Sequence, residues 1–390
     1  MVEIPISKSI YNRLLIINQL SGNKIKIIGD GGADDIKVLK AALDNQSDNI
    51  VNVGHSGSAL RFLTAFFSIQ KREIILTGSE QLKSRPIKIL VETLQQLGAV
   101  IEYIEKIGFA PIKIKGTEIT GGDVSILGNV SSQYISALLM IAPYCKNGIY
   151  IKIEGGFVST PYIIMTIKLM QQCGVDIKYN LENIISVKPG NYKKTEIKIE
   201  SDWSAASYWY EMVSFTESSK IKIKNLFIDS LQGDSELVAI YKFFGVETLF
   251  HSDGIEISKI KNNQEDFLEL DLKNTPDLAQ TIACTCAGLK IKCKLKGLST
   301  LPIKETNRLL ALQKELLKFG AVAEITSDQL EIKKFISPLS TIKVKTYNDH
   351  RMAMAFAPLS IKFGAIEIEN PKVVSKSYPL FWKHLDDIVK

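Results

Sequence analysis

LQQLGAVIEY, residues 94–103, reads as the last turns of an amphipathic helix, a glycine stop and the start of a strand. The chain repeats this reading three times: MQQCGVDIKY at 170–179, YKFFGVETLF at 241–250 and LLKFGAVAEI at 316–325. Glycine just past the last helical residue is what a left-handed helix cap prefers, because no Cβ opposes positive φ. The helices that end here open at Pro86, Pro161, Asp234 and Glu305, spaced by 75, 73 and 71 residues. A second set, rich in small and apolar residues, opens at Gly57 (GSALRFLTAFF), Ser132 (SQYISALLMIA), Ser204 (SAASYWYEMV), Asp277 (DLAQTIACTCAG) and His350 (HRMAMAFAPL), spaced by 75, 72, 73 and 73. One more helix of each kind fits at Ser9 and Asp35, where the spacing contracts to 48 and 51, and a last amphipathic one opens at Pro379. The chain thus holds six copies of a unit with two helices and intervening strands.

Six copies in 390 residues exceed one ordinary core, so the expectation is two similar α/β lobes of three units each, dividing near KIESDWSAAS at 198–207. Within a unit the small-residue helix is predicted to be buried and the amphipathic one half exposed. No Pro-, Gly- or Ser-rich linker marks the division, so the lobes are expected to meet directly, with the active site in the cleft between them.

Composition narrows the function classes. Hydrophobic residues make up 45% and charged residues 23% of the chain, the balance of a soluble globular protein. The net charge of +6 is spread through Ile-Lys alternations such as IKIKG, which read as exposed strand faces and call for no nucleic acid. Cys145, Cys173, Cys284, Cys286 and Cys293 sit mostly in apolar segments without metal-ligand spacing and read as reduced core residues. The N-terminal MVEIPISKS lacks a signal-peptide apolar stretch and no run is long enough to span a bilayer, so a cytoplasmic protein with no membrane partner is expected.

The chemistry gathers at helix N-termini. SKSIYNR (7–13), HSGSALR (55–61), KSRPI (83–87), SSQY (131–134), VSTPY (158–162), TPDLAQ (275–280), IKETNR (303–308) and NDHRM (348–352) all place polar groups there. Such termini carry unpaired N–H donors and the positive end of the helix dipole. Ser, Thr, Asp and Pro at these positions are ordinary caps. Cations are not: Lys8, Arg85, Lys304 and Arg351 oppose the dipole and need an anion or a carboxylate to justify them. Asp349, His350 and Arg351 are accordingly expected on one wall of an anion site. Two other motifs mislead. GHSGS lacks the second glycine of a nucleophile elbow, and GDGGADD has neither the Lys-Ser/Thr of a phosphate loop nor dinucleotide spacing; it reads as a strand-to-helix turn.

SKSIYNR, SSQY, VSTPY, TPD, IKETNR, TYNDHRMAMAF and SKSYP occur in one order from near the first residue to near the last. In this the whole chain resembles the 5-enolpyruvylshikimate-3-phosphate synthases. The resemblance implies the enolpyruvyl transferase fold, an inside-out α/β barrel of two lobes with three βαβαββ units each. Residues 7–200 would form the N-terminal lobe, mainly binding shikimate 3-phosphate. Residues 1–6 plus 201–390 would form the C-terminal lobe, carrying catalytic acid/base and phosphoenolpyruvate-binding residues. It implies a transferase that moves the enolpyruvyl group of phosphoenolpyruvate to the 5-hydroxyl of shikimate 3-phosphate in aromatic amino acid biosynthesis, as a monomer, with no metal or organic cofactor.

Carried onto this sequence, Lys8, Ser9, Arg13, Ser131, Ser132, Gln133, Ser159, Tyr162, Asp277 and Lys304 would bind shikimate 3-phosphate. Lys8, Gly57, Arg85, Gln133, Arg308, Arg351 and Lys376 would bind phosphoenolpyruvate. Asp277 would be the base for the acceptor hydroxyl, Glu305 with Lys8 would supply the proton to the enol carbon, and His350 would orient Glu305 or stabilise charge. The chain departs from the family pattern at His55 and Thr300, where Asn is usual, at Ser58, where Thr is usual, and at Ile6, where Gly precedes SKS. The alternatives are a UDP-N-acetylglucosamine enolpyruvyl transferase and a non-catalytic anion-binding protein. The first usually has a reactive loop cysteine, absent from Ser79 to Ser125. The second has no use for carboxylates such as Asp277 and Glu305.

Overall fold

The structure, a computed structural model, describes residues 1–45, 47–128, 131–155, 159–180, 183–261 and 265–389, with side chains to Asp387; Val158 of VSTPY lies outside them. The chain forms two compact units: Lys8–Ile199, the N-terminal unit, and Met1–Ser7 with Glu200–Lys390, the C-terminal unit.

One repeat serves to describe the rest. Strand Ile50–Asn52 leads to helix Gly57–Ser68, strand Glu73–Thr77, helix Lys88–Gln96, and the strands Val100–Tyr103 and Ile112–Lys115. The first two strands pair in parallel, and the last two form a hairpin whose second arm pairs antiparallel with Glu73–Thr77. Gly122–Leu127, Ile149–Glu154, Ile177–Tyr179 and Ile184–Val187 repeat this order, as do Phe267–Asp271, Lys292–Lys296, Ala321–Ile325 and Leu330–Phe335.

The irregular repeats explain the irregular spacings. Helices Lys8–Leu20 and Asp34–Asp44 flank strand Ile25–Ile28, which pairs with Thr195–Lys198; among the described residues this repeat has no hairpin, hence the contraction to 48 and 51 residues. The last repeat likewise keeps two strands, Ile342–Val344 and Ile366–Ile368. In the fourth, Lys220–Lys224, Val246–His251 and Gly254–Lys259 form the sheet, and Val2 bridges Ile223 in parallel where a first strand belongs. That bridge places the first residues in the C-terminal unit.

Local chemistry sets these elements. In KIKIK (220–224) Ile221 and Ile223 are buried while Lys220 and Lys222 face outward, the period of a half-buried strand. The four stop glycines, Gly98, Gly174, Gly245 and Gly320, have φ of 106°, 82°, 72° and 82°. At the first two a Schellman pair closes the helix: Ala99 N–H donates to Leu94 O and Gly98 N–H to Gln95 O, and Val175 and Gly174 do the same to Met170 and Gln171. Trp203–Phe215 is buried at all thirteen positions, and helices Ala279–Leu289 and His350–Phe356 pack beside it in series. In the N-terminal unit Lys8–Leu20, Gly57–Ser68 and Ser132–Ile141 pack on one another. All five cysteines are buried.

One core group stands apart. Glu211 is fully buried, and both its carboxylate oxygens lack a hydrogen-bond partner among the described residues. Burial holds its pKa well above the usual carboxylate value. Because the unfolded chain releases this proton at about pH 4.3 and the folded one only at much higher pH, Glu211 lowers stability increasingly as pH rises from about 4.3. Glu211→Gln is therefore expected to melt higher than wild type by about 2–4 °C or more at pH 8.5 and by much less at pH 5. Scanning calorimetry at the two pH values checks this; an advantage independent of pH would show that the group is not held neutral.

Candidate active site

The C-terminal unit concentrates charge around Arg308, the first residue of helix Arg308–Lys318. Its guanidinium is buried and donates from Nε to Asp349 Oδ2 (2.7 Å), from Nη1 to Asp277 Oδ1 (2.9 Å) and from Nη2 to Glu305 Oε2 (2.9 Å). Burial opposes its charge, but Asp349, Glu305 and Asp277 together hold it more firmly protonated than an ordinary arginine. Each carboxylate has a further donor. Arg351 Nη2 reaches Asp277 Oδ2 at 3.0 Å, Lys304 Nζ lies 3.4 Å from Asp277 Oδ1, Lys376 Nζ donates to Glu305 Oε1 at 2.7 Å, and the Arg351 backbone N–H donates to Asp349 Oδ1 at 2.9 Å.

These contacts set the proton affinities. Burial raises the pKa of Asp277, and Arg351, Lys304 and Arg308 outweigh it, holding the carboxyl well below the usual range. Burial also pushes the Lys304 ammonium below its ordinary value, against the pull of Asp277.

Asp349, His350 and Arg351 do not share one wall. Asp349 is fully buried as the N-cap of helix His350–Phe356 and as a clamp on Arg308. His350 is buried with Nδ1 3.6 Å from Asp349 Oδ1, leaving Arg351 as the partly accessible member. The reason is geometric: a cap side chain must turn back onto its own helix. Tyr347 and Asn348 before it both adopt left-handed backbone, φ 54° and 56°. Glu315 anchors that turn, accepting from Tyr347 OH at 2.8 Å and Lys345 N–H at 2.9 Å.

In the N-terminal unit, the cation opening helix Lys8–Leu20 is paired: Lys8 Nζ donates to Asp35 Oδ2 at 2.8 Å. Arg13 lies inside, donating to Thr166 Oγ1 (2.6 Å), Ser9 O (2.8 Å), Ser136 Oγ (3.0 Å) and Tyr162 O (3.3 Å), with its guanidinium over the rings of Phe62 and Tyr162. Burial lowers its pKa to about 10. Gln133 Nε2 donates to Ser58 Oγ at 3.0 Å, linking the N-termini of Gly57–Ser68 and Ser132–Ile141, and Ser131 caps the latter. Ser132 is buried nearby, and Ser159 takes a left-handed backbone before helix Thr160–Gln172 without a capping hydrogen bond.

Gly57 is required by crowding. A Cβ there would stand 2.5 Å from Arg85 Nη1 and 2.7 Å from Arg61 Nη1. Two guanidinium groups therefore lie over the positive end of helix Gly57–Ser68. Arg61 is engaged with Gly57 O and Pro86 O, whereas Arg85 Nε is buried without a partner among the described residues. At the departures from the family pattern, His55 Nδ1 lies 2.8 Å from Ser79 Oγ, Ile6 bridges Ser201, and Thr300 Oγ1 is buried without a partner among the described residues.

Sequence reasoning had missed several residues of these clusters. Asp35 lies in the GDGGADD turn beside an equally acidic Asp34, and no pattern separates them. Glu315 follows Arg308 by seven residues on one helix, two turns along the same face, a legible signal. Asp234 read only as a helix start, and Arg61, in HSGSALR, was given no role of its own. Among the described residues no group of three or more His, Cys, Asp or Glu is placed to hold a metal ion.

Known proteins match this chain over its length. The EPSP synthase (3-phosphoshikimate 1-carboxyvinyltransferase) family matches residues 1–385. A 3-phosphoshikimate 1-carboxyvinyltransferase of Bacteroides fragilis is 41% identical, covering 98% of this chain and 94% of its own. One of a Marinomonas species is 32% identical over 99% and 96%. Among solved structures, EPSP synthase from Acinetobacter baumannii superposes with a TM-score of 0.77 at 19% identity, covering 99% and 94%. The enolpyruvyl transferase NikO from Streptomyces tendae gives 0.73 at 12% identity, covering 100% and 94%. These last two establish the enolpyruvyl transferase fold. With the full-length sequence matches beside them, the chain belongs to the EPSP synthase family.

Proposed function

We propose that this chain transfers the enolpyruvyl group of phosphoenolpyruvate to the 5-hydroxyl of shikimate 3-phosphate, releasing phosphate. The observation that carries this reading is Asp277: a carboxylate touched by Arg308, Arg351 and Lys304 and linked through the Arg308 guanidinium to a second carboxylate, Glu305. Acid and base are thus set among cations suited to anionic substrates, which a binding protein alone does not need.

The reaction joins two phosphates and two carboxylates, so cations must offset their repulsion. Arg351 and Lys376 each rest on one carboxylate and are the groups that turn to phosphoenolpyruvate; Arg308, engaged on three sides, chiefly holds Asp277 and Glu305 in register. Within the N-terminal unit, Lys8, Gly57, Arg85 and Gln133 are the groups assigned to the donor. Ser9, Ser131, Ser132, Gln133, Ser159 and Tyr162, with Lys304 and Asp277, bind shikimate 3-phosphate, while Arg13 fixes Ser9 and Tyr162 through their carbonyls. Asp277 takes the proton of the acceptor hydroxyl as its oxygen attacks C2 of the donor. Glu305, with Lys8 nearby in role, protonates C3. The C2–O bond to phosphate then breaks, phosphate leaves with the bonding electrons and takes up the proton held by Asp277, and a C3 proton returns to Glu305, so that the C2–C3 double bond of the enol ether is restored. His350, buried against Asp349, supports this arrangement from behind.

Mixing the protein with both substrates and following phosphate is the direct test; no release above background, with both ligands bound, would overturn the reading. Asp277→Asn is expected to lower turnover by roughly 10²-fold or more while shikimate 3-phosphate affinity stays within a few-fold. Calorimetry beside the phosphate assay separates these effects, and near-normal turnover would move the base elsewhere.

The crowding at Gly57 gives a second expectation. In Gly57→Ala the atoms nearest the methyl belong to the guanidinium groups of Arg85 and Arg61, which must shift to admit it. KM for phosphoenolpyruvate should rise by about 10-fold, the scale of one displaced charge-assisted hydrogen bond, with Tm and the KM for shikimate 3-phosphate little changed. Equal effects on both substrates would remove this loop from the donor site.

A further inference from the structure

Asp234 takes no part in the reaction described above, yet a continuous chain of contacts ties it to the base. It lies at the start of the short turn Gly233–Glu236 and is 3% exposed. Ser204 Oγ donates to its Oδ2; the same Ser204 oxygen accepts from Arg351 Nη2 at 3.3 Å, and that nitrogen donates to Asp277 Oδ2 at 3.0 Å. Asp234 Oδ1 is buried without a partner among the described residues. The turn is itself pinned: Gln232 Oε1 accepts from Trp203 N–H at 3.1 Å, and Gln232 Nε2 donates to Ser201 O at 2.8 Å.

The chemistry of a hydroxyl gives this chain a direction. Ser204 has one hydrogen. With that hydrogen on Asp234, only lone pairs face the Arg351 guanidinium; without Asp234 the rotor is free to turn its hydrogen toward the cation. We propose that Asp234 is a positioning residue for Arg351, acting through Ser204 to hold the guanidinium beside Asp277 and to set how strongly it attracts the donor anion.

Asp234 is also a charge. Its pKa is raised to about 7: burial is the largest cause and Asp277 the next, Arg351 and the Ser204 hydrogen bond oppose them, and Asp202 adds a smaller upward push. These are the charged and polar groups that face it. Protonated at pH 6, it leaves the charge of Arg351 available to an anion. Ionised at pH 8, it offsets that charge and donor binding weakens.

The inference rests on the enolpyruvyl transfer proposed above, and its test reads binding so that the two can fail separately. Phosphoenolpyruvate is titrated calorimetrically into wild type, Asp234→Asn and Ser204→Ala at pH 6 and pH 8 with no acceptor present, so that no turnover contributes, and shikimate 3-phosphate is titrated separately. The ratio of wild-type to Asp234→Asn Kd should be near one at pH 6 and about 5-fold at pH 8, the scale of one partly screened charge nearby. Taking the ratio removes the titration of the ligand itself. Ser204→Ala should weaken the donor about 5-fold at both pH values, and Ser204→Thr, which keeps the hydroxyl, should restore it. A ratio that does not change with pH, weakening of shikimate 3-phosphate to the same extent, or no donor binding by wild type would each overturn the inference. Should Asp234→Asn fail to fold, the Ser204→Ala and Ser204→Thr pair decides it. Donor binding with the expected ratio but without phosphate release would sink the proposed reaction and leave this inference standing.

Discussion

Everything in the C-terminal unit's site depends on one buried guanidinium. Arg308 takes its carboxylate partners from three separate segments: Asp277 before helix Ala279–Leu289, Glu305 in the turn just ahead of its own helix, and Asp349 ahead of helix His350–Phe356. It therefore ties the fifth repeat to the sixth at the point where three helices begin. Such a centre is fragile in a particular way. Replacing a buried ion cluster by apolar side chains can be neutral, but removing one partner strands the others, at about 3–5 kcal/mol for a buried charge. Without Arg308, Asp349 would face the core uncompensated, and Asp277 and Glu305 would lose the group that fixes their separation.

The two units carry different kinds of polar group at their helix N-termini, and the repeat explains why both have room for them. In each repeat a short loop runs from a strand into a small-residue helix, so the N–H groups at the start of that helix lie beside whatever the loop carries. The N-terminal unit loads these loops with hydroxyls, an amide and glycine: Ser131, Ser132, Gln133, Gly57 and Ser58. Its cations are held by Asp35 for Lys8 and by backbone carbonyls for Arg61. The C-terminal unit loads them with whole ion pairs. Hydroxyls and N–H groups recognise an anion without a proton to give or take, whereas Asp277 and Glu305 can exchange one.

The repeat architecture was legible because its signals are local. Gly98, Gly174, Gly245 and Gly320 mark helix ends through a backbone conformation that only a residue without Cβ adopts at no strain, and the spacing between helices needs nothing beyond counting. The contraction to 48 residues was visible as well, although its cause, a missing hairpin, was not. What the residues could not disclose is which partner each charged group takes. Lys8, Lys304 and Arg351 stood out as cations at the wrong end of a helix, and that signal was sound; their partners Asp35 and Asp277 are 27, 27 and 74 residues away. For the same reason Asp349 read as a site residue from its neighbours in sequence, when the cap geometry turns it inward onto Arg308. Long-range pairing is a property of how the repeats pack.

The pairing has a consequence for the chemistry. A carboxylate held by Arg351, Lys304 and Arg308 well below its usual pKa is a weak proton acceptor, and a general base works best with a pKa near the working pH. This arrangement keeps Asp277 ionised but suppresses its basicity. The substrates themselves can lift the suppression. Each anion that draws Arg351 or Lys304 toward itself removes a cation from Asp277 and adds a negative charge nearby, and both changes raise the affinity of that carboxylate for a proton. Glu305 is subject to the same logic through Lys376. On the proposed reaction, binding and activation are then one event: the cations that recognise the substrates are those that had restrained the acid and the base, so proton transfer becomes favourable only when both anions are in place.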